Sequence, residues 1–156
     1  MTAILLDLTE KHCLNSFHPF GLGFEGELSA TRGDFVVGVR LLRACLDGLR
    51  ETLHRTFYVV FLGGLAKALA AIGNVEEGLI TIDEALGRAE HNGEAWYMAE
   101  LLRIKGEVLL QRKPNAIDAE DQFLQSLAWA RRQGALLGIA FGYEPCSIVA
   151  RPSPDQ

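Results

Sequence analysis

Apolar residues recur along this chain at intervals of three and four, the spacing that gathers side chains on one stripe of a helix, and short breaks carrying Gly, Asn or Pro separate the runs. The clearest run is Phe57 to Asn92. Phe57, Phe61, Leu62, Leu65, Leu69 and Ile72 predict one amphipathic helix, with Ala66, Ala68, Ala70 and Ala71 adding helix propensity and room for close approach. Gly73 supplies a stop, and Asn74 stands where a cap is expected, ahead of Glu76 and Glu77, whose charge suits a helix N-terminus. Leu79, Ile82, Ala85, Leu86 and Ala89 form the second stripe, and Asn92-Gly93 closes the unit. Two helices joined by so short a turn lie antiparallel, yet a lone hairpin leaves one apolar face wet and therefore needs neighbours.

The flanking segments supply them. Residues 3 to 14 predict a helix with Ile4, Leu5, Leu8 and Leu14 inward and Thr2 as its cap, before Asn15-Ser16 and Pro19 break the pattern. A second helix runs from about Phe20 to Arg32, and Gly33 ends it. A third, capped by Asp34 and reaching about Thr52, carries Val37, Leu41, Leu42, Cys45, Leu46 and Leu49. Beyond the central unit, Glu94 to Gln111 carries Trp96, Ala99, Leu102, Gly106, Leu109 and Leu110, and the turn Lys113-Pro114-Asn115 leads into Ile117 to Gln133. Almost no segment alternates at period two, so no strand is expected before residue 136.

Positions repeat at a fixed distance. Gly33 and Gly73, Gly38 and Gly78, Leu42 and Ile82, Leu46 and Leu86, and Ala66 and Gly106 are each 40 residues apart, while Ile82 to Phe123 and Leu86 to Leu127 are 41 apart, the extra residue falling in the Pro114 turn. Gly26, Ala66 and Gly106 recur in the first helix of each pair, and Gly38, Gly78 and Ala119 in the second, where facing backbones must approach closely. A threefold helical-pair period predicts an all-α, right-handed α-solenoid of about seven helices. Its expected divisions are a partial repeat over about 1–16, repeats over 17–53, 54–92 and 93–135, and an irregular tail over 136–156.

Charge and composition narrow the functions. With 49% hydrophobic and 22% charged residues the chain of 156 residues is ordinary globular composition, and a net charge of −5 with interleaved signs argues against a nucleic-acid surface. Cys13, Cys45 and Cys146 fit neither a disulfide framework nor a zinc spacing, and neither a leader nor a long apolar span stands out, so a cytoplasmic location is expected. Gly21, Gly23 and Gly26 match G-x-G-x-x-G with Asp47 downstream, but the preceding segment reads as helix rather than strand, which removes the context that makes this motif bind a pyrophosphate. No phosphate-binding G-x-x-x-x-G-K-[ST] is present. His12, His18, His54 and His91 lack metal-ligand spacing, and acidic neighbours such as Glu76-Glu77, Asp83-Glu84 and Glu120-Asp121 diverge on a helix. No enzyme, cofactor or metal is therefore expected. Trp96, Tyr97 and Trp129 read as core or inter-repeat packing in preference to a ligand cage, since both tryptophans lie close to the apolar stripes.

The pattern of a small residue, Gly, Gly, an apolar residue, a small residue and Leu, met by Ala66, Gly73, Gly78, Ile82, Ala85 and Leu86 and again by Gly26, Gly33, Gly38, Leu42, Cys45 and Leu46, resembles the tetratricopeptide repeat family. The period departs from the family's usual ~34 residues, and its aromatic and helix-ending Pro positions are mostly unfilled. The runs RTFYVVFLGGLAKALAAIGNVEEGLITIDEALGRAE, WYMAELLRIKGEVLLQ and AEDQFLQSLAWARRQGA look like the C-terminal repeat region of bacterial regulators that join a winged-helix or adenylate-cyclase-like domain to an ATPase domain. That resemblance covers about residues 1 to 136 and implies a fragment of a signalling or transcriptional regulator. It implies that first helices line a concave face, placing Glu27, Lys67, Glu100, Arg103 and Glu107 toward a protein or peptide partner or toward other domains of a parent protein. Direct nucleic-acid or membrane binding is not implied. The alternative is a small-molecule sensor with its pocket in the same groove, and uncapped solenoid ends would favour self-association.

After Ala135 the helical stripe stops, and three of the five prolines follow. Reading permitted codons for residues 136 to 154 one nucleotide later can restore an amphipathic helix, so a shifted frame is one account of this tail and a native irregular tail is the other.

Overall fold

A computed structural model of the chain describes residues 17–50, 57–113 and 117–134. Among these, six α-helices rather than the expected seven are present: α1 (His18–Thr31), α2 (Phe35–Arg50), α3 (Tyr58–Ala71), α4 (Val75–Asn92), α5 (Met98–Arg112) and α6 (Ile117–Arg132). A short 3-10 turn, Ala95–Tyr97, leads into α5. The helix expected over residues 3 to 14 and the tail 136–156 lie outside the described residues. The described elements are all helical.

Sequence spacing fixes the turns. Gly33, Gly73 and Gly93 adopt left-handed φ values of 92°, 91° and 69°, which only Gly takes at no steric cost. Each turn closes the same way. Gly33 N–H donates to Ala30 and Asp34 N–H to Ser29, Gly73 to Ala70 and Asn74 to Leu69, and Gly93 to Glu90 and Glu94 to Ala89. This is the double hydrogen bond of a Schellman stop, and it satisfies carbonyls that the helix end would orphan. Asn74 occupies the cap position of α4 but its side chain makes no capping bond, so the turn is held by backbone chemistry.

Each helix packs most extensively on its hairpin partner, α1 on α2, α3 on α4 and α5 on α6, and then on the next helix in the chain. The first helices also touch one another, α1 to α3 and α3 to α5. The hairpins cross at the small residues picked out by the 40-residue period. A Cβ on Gly26 would stand 3.2 Å from the Gly38 carbonyl oxygen, and one on Gly78 would stand 2.9 Å from that of Ala66, so at equivalent points the two backbones nearly meet. In the third pair the ring of Phe123 fills the space over Gly106. One continuous core results, built on Leu42, Leu49, Phe61, Leu69, Ile82, Leu101 and Val108, all essentially inaccessible. Its centre is α3, where 11 of 14 residues are buried; α6 buries three of 16. Val37, expected on the inward stripe of α2, is exposed, because the close crossing at Gly38 rotates Val39 inward instead.

Candidate functional site

The first helices carry polar side chains on the face they share. Glu27, Lys67 and Glu107 each follow the small crossing residue of their helix and are spaced by the 40-residue period, so they occupy equivalent places on α1, α3 and α5. Glu27 lays its carboxylate over Gly64 of α3, and burial there pushes its pKa up; Lys67 opposes that shift and Glu100 reinforces it. Arg103 is held by its neighbours on α5. Its Nε donates to Glu100 Oε2 at 2.6 Å, Nη2 to Glu100 Oε1 at 2.5 Å, and Nη1 to Glu107 Oε1 at 2.6 Å. A planar guanidinium matches a carboxylate in this forked geometry, and the third bond fixes its rotation. Tyr97 joins the same group. Desolvation raises the pKa of its phenol, the charges of Glu100 and Glu27 add to the rise, and Arg103 counters them. The five residues expected to share a face are thus brought together, with Tyr97 among them.

Beside this cluster runs a ladder of rings. Phe24 packs edge-on against Phe57 with centroids 6.1 Å apart, Phe57 edge-on against Trp96 at 6.4 Å, and Trp96 tilted against Tyr97 at 5.2 Å, so the ladder crosses from α1 past α3 to the start of α5. Phe20 closes it at one end on Phe57 and Phe61. The edge-to-face contacts of Phe57 with Phe24 and Trp96 are a favourable geometry for ring quadrupoles. The ladder is not core. Phe24 is 41% exposed, Phe57 37% and Trp96 54%, so Trp96 is not a core residue; its ring packs between hairpins against Phe57 and Tyr97 while more than half of the residue faces solvent. Trp129, by contrast, packs partly buried against the core with Arg132 over its ring at 4.2 Å. A trace of the ladder is present in the sequence, since Phe57, Tyr97 and Phe17, whose ring packs on Phe20 at 6.3 Å, obey the same 40-residue period as the glycines.

Other candidates separate. Gly21, Gly23 and Gly26 lie within α1, and Gly23 is covered by Phe61 and Cys45, so these glycines make a helix contact and no phosphate cradle. Cys45 is buried, and desolvation pushes its thiol up to about 12, which keeps it protonated and inert at neutral pH. Among the described residues no group of His, Cys, Asp and Glu gathers as a metal site, and no helix is long and apolar enough to cross a membrane. A cavity of about 190 Å³ lies away from the first-helix face, lined by Leu49, Arg50, Tyr58, Arg88 and Glu94 among others. There Arg50 Nε donates to the Tyr58 hydroxyl at 2.9 Å, and Arg88 stacks over the Tyr58 ring at 4.8 Å.

No protein-family profile matches the chain, and no solved structure matches it. Over 136 residues, 86% of its length, the chain is 29% identical to an uncharacterized protein of Rhizobium meliloti (strain 1021). It spans about 13% of the length of that relative.

Proposed function

We propose that this chain is a non-catalytic protein-interaction scaffold whose hairpins continue one another as a right-handed, tetratricopeptide-like solenoid, and that it works as one region of a larger bacterial signalling or transcriptional regulator in the cytoplasm. The observation that carries this reading is the shared face of α1, α3 and α5, where an exposed aromatic ladder borders a cluster of charged side chains. Exposed rings in a row supply contact area with little side-chain entropy to lose, and flanking charges select what lies on them. The much greater length of the matched relative supports a place within a larger protein.

A display library of random peptides panned against the chain tests the scaffold reading. Recovery of peptides that no longer bind when Phe24 and Trp96 are both changed to Ser is expected; recovery of none, or of peptides indifferent to that change, overturns it. The cavity beside Arg50 and Arg88 favours a second reading, small-molecule sensing, but at about 190 Å³ it falls below the usual range for ligand pockets. A metabolite panel that raises the Tm of the chain would favour sensing instead.

A further inference from the structure

The charges around the ladder are unequally matched. Glu27, Glu100 and Glu107 supply three carboxylates against the two cations of Lys67 and Arg103, and Arg103 already lends its nitrogens to both Glu100 and Glu107. Glu27 differs from those two. Lys67 is close enough to influence it, yet among the described residues no hydrogen bond or ion pair reaches its carboxylate. Its position is made possible by Gly64, since any side chain there would occupy the same space. It also lies one turn beyond Phe24 on α1, and its charge is felt at the Tyr97 phenol. A partly desolvated carboxylate beside exposed ring faces is the chemistry that holds an ammonium or guanidinium group, through an ion pair at the head and ring contact along the stem. This chain already stacks guanidinium on rings at Arg88–Tyr58 and Arg132–Trp129. An acidic segment would instead face three carboxylates on arrival, in a chain of net charge −5.

Resting on the scaffold reading above, we infer that the partner segment taken by this face is basic and apolar, with a lysine or arginine head against Glu27 and its apolar neighbours along Phe24, Phe57 and Trp96. Complementarity of charge sets the register of the segment, and the rings supply the contact area.

The test pans a random peptide library against the chain and against two variants, Glu27→Gln and Trp96→Ala, with Glu90→Gln on the exposed part of α4 as a control. Circular dichroism checks that all remain folded. Selected peptides are expected to be enriched in Arg and Lys beside Leu or aromatic residues. Their affinity, read by fluorescence anisotropy, is expected to fall about tenfold with either variant, and to be unchanged in the control. Added salt should weaken binding to the original chain more than binding to Glu27→Gln. Peptides that depend on Trp96 but are acidic or neutral would overturn this inference while leaving the scaffold reading in place, whereas a library that yields no binder removes both. Basic peptides that bind Glu27→Gln as well as the original chain would show attraction to net charge only and overturn the assigned site. If arginine methyl ester competes as effectively as the peptides, the occupant is a small cation and the peptide assignment fails. Loss of a dimer in Trp96→Ala by sedimentation would make the face a contact between copies, which likewise overturns it.

Discussion

The carboxylate of Glu27 lies where a side chain on Gly64 would begin, so that a Cβ built on Gly64 would stand 1.6 Å from Glu27 Oε1. The obstacle is the tip of a flexible chain that can swing outward. Gly64→Ala should therefore keep the fold and gain part of the ~1 kcal/mol that Ala holds over Gly in a helix interior. Gly78→Ala meets a different obstacle, the backbone oxygen of Ala66 at 2.9 Å. Two helices must then separate, at a cost of about 1–3 kcal/mol. Urea denaturation of the two variants should move in opposite directions from the original chain. A destabilised Gly64→Ala would mean that Glu27 is held in place more firmly than its flexible side chain suggests.

Glu27 also sets a pH dependence. Burial raises its folded-state pKa above the ordinary carboxylate value, so the fold binds this proton more tightly than the unfolded chain does. Its favourable contribution is complete below the unfolded pKa and is lost as pH rises through the folded pKa. Glu27→Gln, which is neutral throughout, should accordingly be more stable than the original chain at neutral pH, with the difference shrinking on acidification. Denaturation midpoints measured across mildly acidic to neutral pH read this directly; a Gln variant less stable at neutral pH would contradict it.

The sequence displayed the frame of the fold because that frame is built from local chemistry repeated three times. Gly33, Gly73 and Gly93 needed left-handed backbone, and Gly26, Gly38 and Gly78 needed close approach, so both constraints are visible as spacings. The face of the first helices was partly legible. Glu27, Lys67, Glu100, Arg103 and Glu107 were found through helical register and a family resemblance, and the structure does cluster them. The aromatic ladder is not legible there, because Phe57 and Trp96 fall on apolar stripes and periodicity alone cannot distinguish a ring in the core from one on an exposed face. Val37 went astray for a related reason. Helix rotation at Gly38 is decided by a contact with α1, which no local pattern records.

Arg103 should not tolerate its closest chemical substitute. Its fork uses both oxygens of Glu100 and still reaches Glu107, and its side chain is only 14% exposed. Lysine is a point charge that cannot make the forked pair, leaving carboxylates less satisfied beside Glu27. Arg103→Lys should lower stability by about 1 kcal/mol, discounted for the partial exposure of both glutamates. A variant as stable as the original chain at neutral pH would show that solvent supplies what the fork does.

Burial is unevenly distributed, and local opening should follow it. Among the described helices, the central pair packs on a hairpin at each side and each outer pair on one. α3, with 11 of 14 residues buried, should be the slowest helix to exchange its amide hydrogens, and α6, with three of 16, the fastest. Substitutions should scale likewise. Phe61→Ala removes a fully buried ring from the centre and should cost about 3–5 kcal/mol, whereas Leu124→Ala on exposed α6 should stay within about 0.5 kcal/mol. Hydrogen exchange by mass spectrometry separates this gradient from a single cooperative unit. If α3 and α6 exchanged at one common rate, the hairpins would open together and the neighbour-by-neighbour account of stability would fail.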